Sequence, residues 1–355
     1  MSAGAFHGGA FFEAIGVDLL HLERSTDIIS ADVLDAWFDP SPRVIHFLQS
    51  HLPFLLRTSP PNHAEGFVAE VARSRRLPES SILAGGGSSA LLFSCLPRLI
   101  APGARVLLLE PTYSECEHIA GTLLGAEIHR HPLREDGGFE LNLHRLADDI
   151  RRLRPDAVLL VNPNNPTGGA WDRQAMLGLL DASPSATRFV VDETYIDYAG
   201  PDESLETEAA RRPNLVVVKS MSKVYALSGA RVAYLVAAPE VIDALRPWLP
   251  PWPVGLLAQA AAMEALRDPG YYASRYAETH SLRENLRARL APFNPLPSRA
   301  NFFLIRPPGA GELARRLRAE GIFVREFPNG PLSGRWLRVS VKDAAANARI
   351  AGAML

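Results

Sequence analysis

From about residue 80 to residue 240 the chain alternates short apolar, β-branched runs with longer stretches of helical period, and no other feature restricts its fold so strongly. The runs are Ser81–Ala84, Arg105–Glu110, Ala126–His131, Ala157–Val161, Arg188–Asp192, Leu215–Lys219 and Val232–Val236. Helical patterns such as Ala90–Ile100 and Arg173–Asp181 lie between them. Apolar runs of this kind are buried on both faces, and runs separated by helices are joined by crossovers rather than hairpins. The expected fold class is α/β, with a mostly parallel central sheet covered by helices.

The pattern changes after the Pro-rich stretch Pro247–Pro253. Long helical periods follow at Leu256–Arg267 and Tyr271–Leu290. Strand signals then come at Asn301–Arg306, Ile322–Phe327 and Trp336–Val341, with a helix at Gly311–Ala319 between the first two. This predicts a smaller α+β domain over 251–355. Residues 1–56 show no strong period and read as an arm plus part of that small domain, which leaves 57–250 as the large one. A length of 355 residues suits two domains.

With 37 basic against 39 acidic residues the net charge is −2, which gives no electrostatic footprint for nucleic acid. No apolar run is long enough for a membrane span, and the N-terminus lacks a signal-peptide pattern. Cys95 and Cys116 form no C-x-x-C pair or disulfide framework, so a reducing, cytoplasmic setting is expected. Only three of the basic residues are lysines: Lys219, Lys223 and Lys342. Any chemistry that needs an amine side chain is confined to those three.

Four clusters carry chemistry. Lys219-Ser220-Met221-Ser222-Lys223 follows a strand, with Arg231 eight residues beyond Lys223. A half-buried lysine beside small hydroxyl residues suits Schiff-base chemistry, because desolvation lowers its pKa. Ser220, Ser222 and Arg231 can converge on one phosphate. Asn162-Pro163-Asn164-Asn165-Pro166-Thr167-Gly168 and Asp192-Glu193-Thr194-Tyr195 both lie at strand ends, where open α/β sheets collect ligands. The carboxylate of Asp192 can pair with a protonated ring nitrogen. Gly85-Gly86-Gly87-Ser88-Ser89-Ala90 joins a strand to a helix and can seat an anion on backbone amides. The same stretch fits a dinucleotide fingerprint, with Glu110 at the end of the next strand. That reading leaves the Lys223, Asp192 and Asn165 clusters unexplained.

Along the chain, as Gly-rich cup, Asn-Pro-Thr-Gly, Asp-x-x-Tyr, Ser-x-Ser-Lys and Arg, the clusters resemble the pyridoxal-phosphate (PLP) enzymes of fold type I, in the class I/II aminotransferase superfamily, and most nearly its histidinol-phosphate aminotransferase group. Val33-Leu34-Asp35-Ala36, Asp39-Pro40-Ser41-Pro42, Pro111-Thr112-Tyr113, Ala300-Asn301-Phe302 and Leu337-Arg338-Val339-Ser340-Val341 extend the likeness over nearly the whole chain after residue 30. The resemblance implies PLP as cofactor, with Lys223 as its Schiff-base and proton-moving lysine and Asp192 holding the pyridine nitrogen protonated. It implies Asn165 and Tyr195 at the ring's phenolic oxygen, and Tyr113 stacked on the ring. Gly87, Ser88, Ser89, Ser220, Ser222 and Arg231 would form the phosphate cup. Arg338 would grip the substrate's anionic group. It further implies an amino donor, a 2-oxo acid acceptor and a homodimer. A decarboxylase, lyase, cyclase or oxidase of the same fold is the alternative, since all share the same first steps on the cofactor.

The chain also departs from that group. Trp37-Phe38-Asp39-Pro40 stand where the group has Asn-Glu-Asn-Pro, and Arg57-Thr58-Ser59-Pro60 where it has Arg-Tyr-Pro. Ser340-Val341-Lys342 replace Thr-Ile-Gly. These positions face substrate or cross between subunits in the group. They predict a substrate other than histidinol phosphate, with Trp37 stacking on an aromatic or guanidinium-like side chain. His129 and His131 share a strand face, but no further ligand spacing accompanies them, so no metal is expected.

Overall fold

The structure, a computed structural model, describes residues 9–355. Eleven strands occur among them: β1 (Ile29–Ala31), β2 (Ile82–Gly85), β3 (Arg105–Glu110), β4 (Glu127–Pro132), β5 (Ala157–Val161), β6 (Arg188–Asp192), β7 (Leu215–Ser220), β8 (Ala233–Val236), β9 (Phe302–Ile305), β10 (Ile322–Val324) and β11 (Leu337–Ser340). The seven apolar runs of the central region become β2 to β8, each within a residue or so of the expected bounds.

Those seven form one sheet in the order β2-β8-β7-β6-β5-β3-β4. Only β8 runs against its neighbours β2 and β7. Strands β5, β7 and β8 are buried along their whole length, as a sheet covered on both faces requires. The edge strand β4 differs. Its Glu127, His129 and Arg130 are polar, which discourages further strand pairing. His131 Nδ1 lies 2.7 Å from Asp149, and His129 Nε2 lies 3.1 Å from Glu127. Of the two, only His131 is held by a hydrogen bond to its carboxylate.

Strand order reverses at β3, which has β4 on one side and β5 on the other. A crevice opens at such a switch point, beyond the carboxyl ends of the strands. The loops there are tied together: Thr112 Oγ1 donates to Asn164 Oδ1 at 3.0 Å, and Asn164 Nδ2 donates to the Pro111 carbonyl at 3.1 Å.

A second group of strands carries the C-terminal part. β9 pairs antiparallel with β11, β10 pairs parallel with β1, and the Arg325–Arg338 bridge joins the two pairs. Ile29, Ala31, Phe303, Ile305, Leu317, Val339 and Ile350 form its core, so residues 29–31 are built into it. The N-terminal segment departs from the aperiodic arm that its sequence suggested. Pro42–Arg57 is a 16-residue helix. Ser41 caps it by accepting from Val44 N, and Pro42 stands at its first turn. Val44 shares a core with Phe67, Ala258, Ala261 and Tyr234. Helix Leu256–Leu266 thus packs with this N-terminal helix and with helix Glu65–Arg75.

Candidate active site

Gly87 begins the site. Its φ of +105° is a conformation that side-chain-bearing residues rarely adopt, and it caps helix Ser88–Leu99. A Cβ there would stand 2.5 Å from Arg231 Nη2. The glycine therefore makes the room that the guanidinium fills. Arg231 Nη1 reaches Ser222 Oγ at 3.3 Å and the Ser228 carbonyl at 3.1 Å. Ser220 Oγ accepts from Ser222 N at 3.3 Å. Gly87, Ser222 and Arg231 are thus neighbours, with Ser88 and Ser89 opening the helix whose first amides lack intrahelical partners. That is an anion cradle.

Lys223 follows β7 and is half-buried, its Nζ 2.6 Å from Asp35 Oδ1. Ser228 Oγ donates to the same oxygen at 2.6 Å. Burial works to raise the Asp35 carboxyl, but Lys223, the Ser228 hydroxyl and Lys342 outweigh it and hold the group below its ordinary value. Lys219 is elsewhere. It is fully buried in β7 with Glu193, Asp197 and Glu206 within 3.3–3.7 Å, a structural charge cluster under the sheet's end.

Asp192 ends β6, buried, and accepts from Thr194 N at 2.8 Å and Thr194 Oγ1 at 2.5 Å. Burial raises its pKa to about 6; the two Thr194 bonds oppose the rise and Glu115 adds to it. Such a carboxylate favours a cationic partner. Tyr195, next along, is buried edge-on to Phe302 at 5.1 Å, and burial pushes its phenol up. Tyr113 donates to Glu115, which also accepts from Ser89 Oγ at 3.0 Å. Glu115 therefore ties the expected ring-stacking residue to the expected phosphate cup.

Arg338, on β11, reaches across from the second strand group. Its Nη1 donates to Asn165 Oδ1 at 2.6 Å and its Nη2 to the Asp32 carbonyl at 2.9 Å. Its Nε is buried without a hydrogen-bond partner. Burial lowers its pKa to about 10, so it remains a cation at neutral pH. Trp37, expected to meet substrate, is engaged elsewhere. Its Nε1 donates to Thr279 Oγ1 at 2.8 Å, Phe38 lies edge-on at 5.6 Å, and Arg275 lies 5.5 Å from its ring. It packs the N-terminal segment onto helix Pro269–Arg289.

Three further residues join the site without having been singled out for it: Asp35, Glu115 and Lys342. Lys342 Nζ lies 3.4 Å from the Asp35 carbonyl. The census of only three lysines was the signal for it. Asp35 lay within the quoted Leu-Asp-Ala stretch, whereas a lone glutamate after Tyr113 gave no sequence signal.

An anion cradle, a half-buried amine, a buried carboxylate at a strand end and an arginine from a second strand group fit PLP and a substrate anion. The comparisons agree. The aminotransferase class I and II family profile matches residues 45–354. The histidinol-phosphate aminotransferase of Chromobacterium violaceum is 33% identical over 330 residues, 90% of each chain. That of Neisseria meningitidis serogroup B is 33% identical over 293 residues, 81% of this chain and 78% of its own. Among solved structures, the Sinorhizobium meliloti histidinol-phosphate aminotransferase in complex with pyridoxal-5'-phosphate superposes with a TM-score of 0.84 at 24% identity, covering 100% of this chain and 98% of its own. The Porphyromonas gingivalis L-threonine-O-3-phosphate decarboxylase gives 0.79 at 25% identity, covering 92% and 98%. The chain belongs to the aminotransferase class I and II family and is a PLP-dependent aminotransferase of fold type I.

Proposed function

We propose that the enzyme moves the amino group of an α-amino acid to a 2-oxo acid, holding the donor's α-carboxylate on Arg338. The observation that carries this is the buried Arg338 guanidinium, oriented by Asn165 and the Asp32 carbonyl, with its Nε unpartnered. Bound in this site, PLP supplies an electron-withdrawing ring that makes a substrate Cα–H acidic. The chain's residues supply the rest. Gly87, Ser88, Ser89, Ser220, Ser222 and Arg231 hold the phosphate, and Tyr113, Asn165 and Tyr195 hold the ring. Asp192 keeps the ring nitrogen cationic. Lys223 carries the cofactor and moves the proton at its Nζ. Residues 57–250 bind the cofactor, and 251–355 contribute Arg338.

The working unit is a homodimer in the cytoplasm. Helix Pro42–Arg57 exposes Ile45, Leu52, Phe54 and Leu56, while Trp248 and Trp252 are half exposed; a patch of that kind asks for a partner. Cys95 and Cys116 are buried free thiols, as a reducing compartment keeps them.

A panel of amino donors with 2-oxoglutarate tests the reaction. Glutamate should form in step with consumption of one α-amino acid, faster than with histidinol phosphate. Carbon dioxide release without glutamate would make the enzyme a decarboxylase. A kcat/KM for histidinol phosphate far above that of every amino acid would overturn the donor.

A further inference from the structure

Two of the chain's three lysines converge on one aspartate. Lys223 Nζ lies 2.6 Å from Asp35 Oδ1, and Lys342 Nζ lies 3.4 Å from the Asp35 carbonyl. The segment that presents Asp35 is fixed from the β9–β11 side at three points: Arg338 Nη2 to the Asp32 carbonyl, Asn301 Nδ2 to the Leu34 carbonyl, and Lys342 Nζ to the Asp35 carbonyl. Arg338 and Lys342 are four residues apart, so both point to that segment from one side of the chain.

This arrangement raises an electrostatic problem. A carboxylate so close to an amine stabilises the ammonium form. An amine that attacks a carbonyl or takes up a proton has to be neutral. A second cation beside Asp35 opposes that effect. The other charged and titratable groups facing this trio are Asp32 in the same segment, Asp343 beside Lys342, and Tyr195 after β6. Arg338, bound to the Asp32 carbonyl, is a further cation at that segment, and Lys342 is the one whose ammonium reaches Asp35 itself beside Lys223.

We propose that Lys342 is a positioning residue: a second cation that shares Asp35 with Lys223 and so eases loss of the proton from Lys223 Nζ to water. The proposal rests on the reading of Lys223 as the cofactor-bearing lysine. Burial lowers the pKa of Lys342 to about 8, so it is mostly charged at neutral pH and gives up this role in more alkaline solution.

The full-length holoenzyme tests it without reference to turnover. The visible absorbance of the bound cofactor reports protonation of the lysine nitrogen that it is joined to. Lys342→Gln should raise the midpoint of that titration by about one pH unit, Lys342→Arg should not raise it, and Asp35→Asn should lower it. The acid limb of kcat should shift with the midpoint. Lys342→Met replaces Lys342→Gln if the latter does not fold. An unmoved midpoint in the neutral variant overturns the proposal, as does an equal rise in Lys342→Arg. Borohydride reduction and peptide mapping separate the two levels: cofactor fixed to a residue other than Lys223 refutes the underlying reading. Cofactor fixed to Lys223 with an unmoved midpoint refutes this inference alone.

Discussion

Arg338 Nη1 stands 2.6 Å from Asn165 Oδ1, so one hydrogen bond joins β11 of the smaller strand group to the loop after β5 in the main sheet. A side chain that would bind substrate is thereby aimed by one that would bind cofactor. The guanidinium is oriented through two of its donors, and its buried Nε has no hydrogen-bond partner. Lysine cannot reproduce that fork.

Arg338→Lys should therefore raise KM for the amino donor sharply and lower kcat/KM by about a hundredfold, the order expected when a charged hydrogen bond is lost. Steady-state kinetics with the best donor of the panel would check it. A kcat/KM within a factor of three of the parent would remove Arg338 from substrate binding.

Asp192 makes a prediction about the cofactor-free protein. Its folded-state pKa of about 6 lies above its ordinary 3.8, so the stability it contributes is fully present below about pH 4 and is lost as pH rises through 6. Asp192→Asn should remove that loss. The variant should unfold at higher denaturant than the parent at pH 7.5, by about 3 kcal/mol, and the difference should vanish near pH 4. The same change should slow turnover once cofactor is bound. Equal stability at both pH values would contradict the burial cost assigned to this carboxylate.

Gly87→Ala places a methyl group against Arg231 Nη2 at a φ of +105°. Cofactor binding, followed by absorbance on titrating the free protein, should weaken by at least about tenfold because the cradle is distorted. Gly229→Ala meets nothing within 4 Å and serves as the control.

Leu56, about two-thirds exposed on helix Pro42–Arg57, should lie within the subunit contact. Sedimentation should give a dimer for the parent, and Leu56→Asp should shift it toward monomer at micromolar concentration with loss of activity. A fully active monomeric parent would defeat the proposed assembly.

The central sheet was legible because the middles of β3, β5, β6 and β7 are buried on both faces and therefore apolar, a pattern that survives with no knowledge of neighbours. The residues of the cradle were legible because glycine and small hydroxyls at a strand–helix turn have few other reasons to cluster. Helix Pro42–Arg57 was not legible. Its apolar residues follow the helical period, but Pro53 lies within it, and an internal proline argues against a continuous helix. Trp37 shows a different limit. An aromatic beside a site motif can serve packing or binding, and its hydrogen bond to Thr279 on helix Pro269–Arg289 supports a packing role. Asp35 and Lys342 lie 307 residues apart, and their meeting depends on how the two strand groups sit together.

The placement of the lysines has a practical consequence for handling the protein. Lys219 is sealed beneath the sheet's end, while Lys223 and Lys342 share Asp35. The exterior thus offers amine-directed reagents almost nothing among its side chains. Succinimidyl dyes, aldehyde fixatives and amine-coupled sensor surfaces would capture the chain only through its α-amino group or by entering the catalytic cleft. Conjugation that leaves turnover intact has to use other handles, and inactivation by a small acylating agent, blocked by bound cofactor, would itself map the cleft.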